Sequence, residues 1–189
     1  MVAPVRQRFD FAAYVDLEQG SQVKHEFLDG VVWAMAGGSP AHSGIAATIT
    51  RMLGSQLEGR RCRVFNSDLR IRVKATGLAT YPDVTVVCGQ LELDPDDVSR
   101  HTVTNPKVIV EVLSPSTEDY DRGEKLEHYR QVPSLEMVLL VAHDSWRVEA
   151  WTRTADGWSK ASFEAGAAVD VTPIGCRLLV DDLYHDPLA

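Results

Sequence analysis

Residues 107–113 read Lys-Val-Ile-Val-Glu-Val-Leu and lie between Pro106 and Pro115. A nearly continuous apolar run of this length suits a central strand covered on both faces. Glu111 interrupts it. Burying an unpaired carboxylate costs several kcal/mol, so Glu111 needs a metal, a partner or a sheet-end position open to solvent. The plain alternative is an edge strand with Glu111 facing water.

The flanking pattern fixes the fold class. Residues 9–19 read as a short amphipathic helix with Phe11, Tyr14, Val15 and Leu17 as apolar positions. Two strand-like runs, 23–28 and 31–36, flank Asp29-Gly30, a strong two-residue hairpin signal. Ser39-Pro40 is an N-cap followed by proline at N1. The helix it opens places Ile45, Ile49, Met52, Leu53 and Leu57 on one stripe, and Gly59 ends it. Strands are expected over 61–66, 69–74 and 81–88. The acidic, polar segment 90–105 reads as a long surface loop. A helix is expected over 118–131, a buried strand over 136–142, and antiparallel strands over 146–153, 158–164 and 168–172. This order predicts an α/β fold with a mixed sheet flanked by helices.

Composition narrows the function classes. The 189 residues are 44% hydrophobic and 24% charged, ordinary for a globular chain, and one domain spanning 1–189 is expected at this length. The charge sum, 19 − 27 = −8, argues mildly against a polyanion as partner of the whole surface. Cys62, Cys88 and Cys176 are far apart with no CxxC pair, which suits a reducing cytosol and leaves zinc-knuckle chemistry without ligands. The N-terminus has no signal-like apolar stretch, and the longest apolar runs, 31–36 and 137–142, are too short to span a bilayer. The expectation is a cytoplasmic protein without a membrane partner.

Two further groups stand near Glu111 in this scheme. Asp83 follows Tyr81-Pro82 and precedes Val84-Thr85-Val86-Val87. Alone it reads as an ordinary turn entering a strand. Beside Glu111 it gains meaning, because adjacent strands lie about 4.8 Å apart and two acids at matching heights can share a divalent ion. On the following helix Asp121, Lys125 and Tyr129 are spaced i, i+4, i+8 and share one face. Their plain reading is a solvated face with one weak Asp–Lys pair. The turn at 114–117 folds that face back toward the strand end, where Lys125 can approach the acids.

Tyr81-Pro82-Asp83-Val84, Val110 to Thr117 (Val-Glu-Val-Leu-Ser-Pro-Ser-Thr), Asp121-Arg122, Lys125 and Tyr129 together resemble the "putative restriction endonuclease" family, the Uma-type proteins of the PD-(D/E)xK nuclease superfamily. His25-Glu26-Phe27-Leu28-Asp29-Gly30 and His42 look like that family's N-terminal pattern, and the resemblance spans roughly residues 10–155. It implies a restriction-endonuclease-like αβββαβ core, here with an N-terminal helix and hairpin and extra C-terminal strands. It implies that Asp83 and Glu111 are metal ligands beside the Val112 carbonyl, holding Mg²⁺ or Mn²⁺ for hydrolysis of DNA. The superfamily's lysine belongs two residues after the glutamate, where this chain has Leu113; Lys125 is the implied replacement. Hard oxygen ligands suit those ions, and an ammonium nearby can orient water or neutralise phosphate charge.

Glu26 and His42 read as supporting residues, as do Asp121 and Tyr129. Between 60 and 74, Arg60, Arg61, Arg63, Arg70, Arg72 and Lys74 stand against Asp68 alone. Arg61, Arg63, Arg70 and Arg72 are therefore candidate nucleic-acid contacts, or else a solvated β-face. Trp146, Trp151 and Trp158 read as core or dimer packing. No GxSxG elbow, Walker A loop, GxGxxG fingerprint or HExxH motif is present. A homodimer is expected, since a nuclease often cuts two strands and twofold oligomers are commonest. The competing reading is a catalytically weak nuclease-fold module that binds nucleic acid or a protein.

Overall fold

The computed structural model describes residues 8–185. Helix α1 (Phe11–Gly20) precedes the hairpin of β1 (His25–Leu28) and β2 (Val31–Ala34). Helix α2 (Pro40–Gln56) leads to β3 (Cys62–Asn66), β4 (Arg70–Arg72), β5 (Ala79–Thr80) and β6 (Val84–Cys88). Strands β7 (Thr102–Val103) and β8 (Val108–Val112) are followed by short helices α3 (Glu118–Arg122) and α4 (Glu124–Tyr129). Then come β9 (Met137–Val141), β10 (Arg147–Thr154), β11 (Gly157–Glu164), β12 (Ala168–Val171), β13 (Cys176–Leu179) and helix α5 (Val180–Tyr184).

The largest sheet runs β11-β10-β9-β8-β6-β3, with β8 and β9 parallel and its other pairs antiparallel. The proline-bounded run is its interior strand β8. Val108, Val110 and Val112 pack on one face with Ile45, Ile49 and Leu53 of α2. Ile109 and Leu113 pack on the other with Leu126, Tyr129, Val138 and Leu140. Glu111 shares this second face by the strand's two-residue period. Full burial of each such aliphatic side chain stabilises by about 1.5–3 kcal/mol.

Local chemistry explains the elements. Ser39 caps α2 by accepting from the His42 N–H, and Pro40 fills its first turn. Asp29 and Gly30 both have positive φ, as a type I′ hairpin turn requires. The expected 118–131 helix is instead broken at Gly123, where φ and ψ are both −104°. A Cβ there would lie 2.9 Å from the Asp119 carbonyl oxygen.

Three expectations are corrected. The strand expected at 69–74 leaves the main sheet and joins a second one, β2-β1-β5-β4-β7. The segment 90–105 is no free loop: Asp94 and Asp97 are buried, and β7 pairs in parallel with β4. The cysteines do pair, because Cys62 and Cys88 face each other across β3 and β6 and form a disulfide. Strand register, not sequence distance, brings them together. Among the described residues, no helix is long and apolar enough to cross a membrane.

Candidate active site

The site begins where two strands part. The β6–β8 ladder ends at Val84 opposite Val110. Pro82 has no N–H to continue it. The Val112 N–H, left without a strand partner on that side, donates to Asp83 Oδ2 at 2.7 Å. The Asp83 N–H in turn points at Glu111 Oε2, 3.4 Å away. Asp83 and Glu111 are thereby held side by side at the end of the sheet.

Lys125 enters from α4. Its Nζ lies 2.9 Å from Glu111 Oε1, 3.2 Å from Glu26 Oε1 and 3.2 Å from Asp121 Oδ1. The Tyr129 hydroxyl donates to the same Glu111 oxygen, and the Thr80 hydroxyl donates to Glu26. Glu26, Glu111, Asp121 and Lys125 are each no more than 4% exposed. Unlike the Glu111 and Glu26 oxygens, Asp121 Oδ1 accepts from no hydroxyl and has only the ammonium beside it. Leu113, where the superfamily's lysine would stand, is 1% exposed and packed in the core.

Three carboxylates thus surround one ammonium, and Asp83 stands beside Glu111. Burial pushes the Glu111 carboxyl up to about 8; Lys125 pulls it down, while Asp121 and Asp83 push it further up. Burial alone would lower the Lys125 pKa, but Glu111, Glu26 and Asp121 hold it well above the usual lysine range. The ammonium therefore stays charged.

His42, from the first turn of α2, places Nε2 3.1 Å from Asp83 Oδ2. That hydrogen bond raises its pKa, burial opposes the rise, and Asp83, Glu111 and the Val112 carbonyl add to it. Gly38 makes room for the ring: a Cβ there would lie 2.5 Å from His42 Nδ1. These groups open onto a pocket of about 330 Å³, walled by Trp33 and Tyr120 and by the chain from Met35 to Gly38.

The donor set fits a hard divalent ion that needs help from its substrate. Among the described residues, no three His, Cys, Asp or Glu side chains cluster closely enough to hold a metal alone. Asp83 Oδ1 and Glu111 Oε2 are not claimed by the lysine, and the Val112 carbonyl lies beside them. Mg²⁺ is commonly held by one or two carboxylates, with water and substrate phosphate completing its shell. Asp83, Glu111 and Asp121 line the pocket wall where such an ion and a phosphate would meet.

The candidate basic strip is placed differently. Arg70 is buried, with Nη2 3.0 Å from Asp97 Oδ2 and Nε donating to Thr102. Arg72 and Lys74 each pair with Asp94 and Asp96. The local positive charge is thus neutralised by the acidic segment that composition marked as a loop. Arg70 and Arg72 are struts between β4 and that segment, while Arg61 and Arg63 remain exposed on and beside β3. Sequence reasoning missed Thr80 and the pocket aromatics Trp33 and Tyr120, which carry no motif spacing. It also missed buried Glu149, which pairs with Arg122 and Lys160.

A family profile named Uma2 and described as "putative restriction endonuclease" matches residues 11–180. The chain belongs to the Uma2 family. The uncharacterized protein slr1290 of Synechocystis sp. is 38% identical to this Uma2 protein over 174 residues, 91% of this chain and 89% of that one. The uncharacterized protein sll1609 of the same organism is 31% identical over 156 residues, covering 82% and 87%. In fold, the Uma2 chain resembles a crystal structure from Anabaena variabilis described as a "putative nuclease". The TM-score is 0.72 at 19% identity, over 87% of this chain and 91% of that one. The mixed sheet flanked by helices is therefore a nuclease-like fold, and the family assignment is of the nuclease type.

Proposed function

We propose that this Uma2 protein is a divalent-metal-dependent endonuclease that hydrolyses DNA phosphodiester bonds, with Asp83 and Glu111 as metal ligands and Lys125 assisting. The observation that carries this reading is the pairing of Asp83 and Glu111 at a parted strand end, beside a buried ammonium and open to a pocket. Bound Mg²⁺ or Mn²⁺ would supply charge stabilisation and a more acidic bound water.

The chain's own residues divide the remaining work. The Val112 N–H and His42 fix Asp83 Oδ2, leaving Oδ1 as the oxygen for a metal. Tyr129 and Lys125 fix Glu111 Oε1, leaving Oε2 on the Asp83 side. The Lys125 ammonium, held against Glu111 beside the pocket, is the group that can turn a proton to a phosphate oxygen or an attacking water.

The test is cleavage of supercoiled plasmid and of single- and double-stranded oligonucleotides with Mg²⁺ or Mn²⁺. Wild type should cut only with metal, and Asp83→Asn and Glu111→Gln should each lose cleavage. Full activity in either variant contradicts the assignment. One observation favours the second reading, a weak nuclease-fold module: Lys125 is already engaged by three acids. Salt-dependent DNA binding without metal-dependent cleavage would support that module.

A further inference from the structure

Strand β11 forms one edge of the largest sheet. Its eight residues pair with β10 in unbroken register, from Arg147 opposite Glu164 to Thr154 opposite Gly157. It therefore has no bulge, and it contains no proline. Natural sheets usually blunt an open edge with such devices. Only Trp158 and Phe163 are even half-buried; the other six residues are exposed.

The hydrogen-bond parity of this edge is fixed by the neighbouring pair. Ala142 N–H donates to the Arg147 carbonyl and Arg153 N–H to the Glu136 carbonyl, so the odd-numbered residues of β10 bond toward β9. Its even-numbered residues therefore bond toward β11 and meet residues 157, 159, 161 and 163. Trp158, Lys160, Ser162 and Glu164 consequently turn their backbone groups outward. Among the described residues, the outward groups of Trp158, Lys160 and Ser162 have no backbone partner.

We propose that this chain forms a twofold dimer by antiparallel pairing of β11 with the same strand of a second copy, centred on Ser162. Parity and charge select this register. Outward residues must meet outward residues, so even numbers face even numbers. Centring on Lys160 would set two lysines against each other. Centring on Ala161 would set Lys160 against the partner's Ser162 and Trp158 against the partner's Glu164. Centring on Ser162 sets Lys160 against the partner's Glu164, twice by symmetry, and opposite charges in directly opposed positions stabilise a ladder. In each copy Lys160 already pairs with Glu149 at 2.9 Å, so its ammonium stands on the face that the partner's Glu164 would share.

The twofold axis then runs perpendicular to the sheet, and both copies present the same face on the same side. Seven strand spacings separate the two β8 strands, on the order of 34 Å in a flat sheet. On the endonuclease reading, on which this consequence alone rests, the two sites would lie at opposite ends of the joined sheet, because the twofold axis reverses the strand direction.

Sedimentation velocity over about 1 to 200 µM tests the pairing without any cleavage assay. Wild type should show a monomer–dimer equilibrium. Ser162→Pro removes an outward N–H where an open edge tolerates proline, and should stay monomeric throughout. Glu164→Lys should weaken dimerisation roughly tenfold, and Lys160→Glu/Glu164→Lys should restore it. Circular dichroism and melting curves establish that each variant is folded. If Ser162→Pro does not fold, Glu164→Lys and the double variant decide. A wild type that is monomeric at every concentration overturns the proposal, as does a dimer unaffected by Ser162→Pro. Failure of the charge swap to restore the dimer overturns the register.

Discussion

Lys125 Nζ stands 2.9 Å from Glu111 Oε1 and reaches it from a helix, while Leu113 fills the strand position two residues after the glutamate. The ammonium is enclosed by three acids at 2.9–3.2 Å. It acts first as their counter-charge. Replacing Lys125 with Met should therefore destabilise the metal-free protein by about 3–5 kcal/mol, because buried acids lose their partner. Adding Mn²⁺ should recover part of that loss by binding the folded state. Urea unfolding with and without Mn²⁺ measures both. A Lys125→Met protein as stable as wild type would show that the cluster does not depend on this charge.

Tyr129 is buried, and its hydroxyl serves Glu111. Tyr129→Phe keeps the ring in the core and removes only the donor. Divalent-metal affinity should fall roughly 10–100-fold, as for other groups that orient a ligand. Calorimetric titration in the presence of a DNA oligonucleotide reads this out. Unchanged affinity would mean that Glu111 is oriented by Lys125 alone.

Gly38 and His42 are coupled by contact. Gly38→Ala should swing the imidazole away from Asp83, since the new Cβ would lie 2.5 Å from Nδ1. Gly38 is exposed and precedes the Ser39 cap, so stability should change by less than about 1 kcal/mol. Cleavage should fall, and Gly38→Ala/His42→Ala should be no worse than His42→Ala. Additive losses in the double variant would place the effect of Gly38 elsewhere.

The buried Arg70–Asp97 pair sets part of the acid limit of the fold. Burial alone would raise the Asp97 pKa, but hydrogen bonds from Ser99, Thr102 and Arg70, with the Arg70 charge, hold it well below the usual carboxylate range. A carboxyl depressed on folding contributes its stability above the unfolded pKa, about 3.9, and loses it as pH falls toward the folded value. Asp97→Asn should therefore be less stable at pH 7 by about 3–5 kcal/mol. It should also lose less stability than wild type between about pH 4 and pH 2. Denaturant titrations at several pH values give both slopes. Parallel slopes would contradict the assignment.

Much of the fold was legible in the sequence because it rests on short-range chemistry. Ser39-Pro40 with the Ile45–Leu57 stripe marks α2, Asp29-Gly30 marks the first hairpin, and the proline-bounded run marks β8. The site was legible where one residue broke an apolar pattern, as Glu111 does. Long-range pairings were not. Nothing local shows that Asp94 and Asp97 answer Arg72 and Arg70, or that Cys62 stands opposite Cys88. Glu26 reads only as a supporting residue in a hairpin strand, because nothing local shows that β1 meets Lys125. The helix break was hidden too, since Gly123 is tolerable in a helix and only its approach to the Asp119 carbonyl gives it away.

The most direct measurement is anomalous diffraction from crystals grown with Mn²⁺ and a DNA oligonucleotide. A manganese peak is expected between Asp83, Glu111 and the Val112 carbonyl, with a phosphate oxygen in its shell, and no peak there in Glu111→Gln. Ordered DNA in the pocket with no metal between these two carboxylates would contradict it.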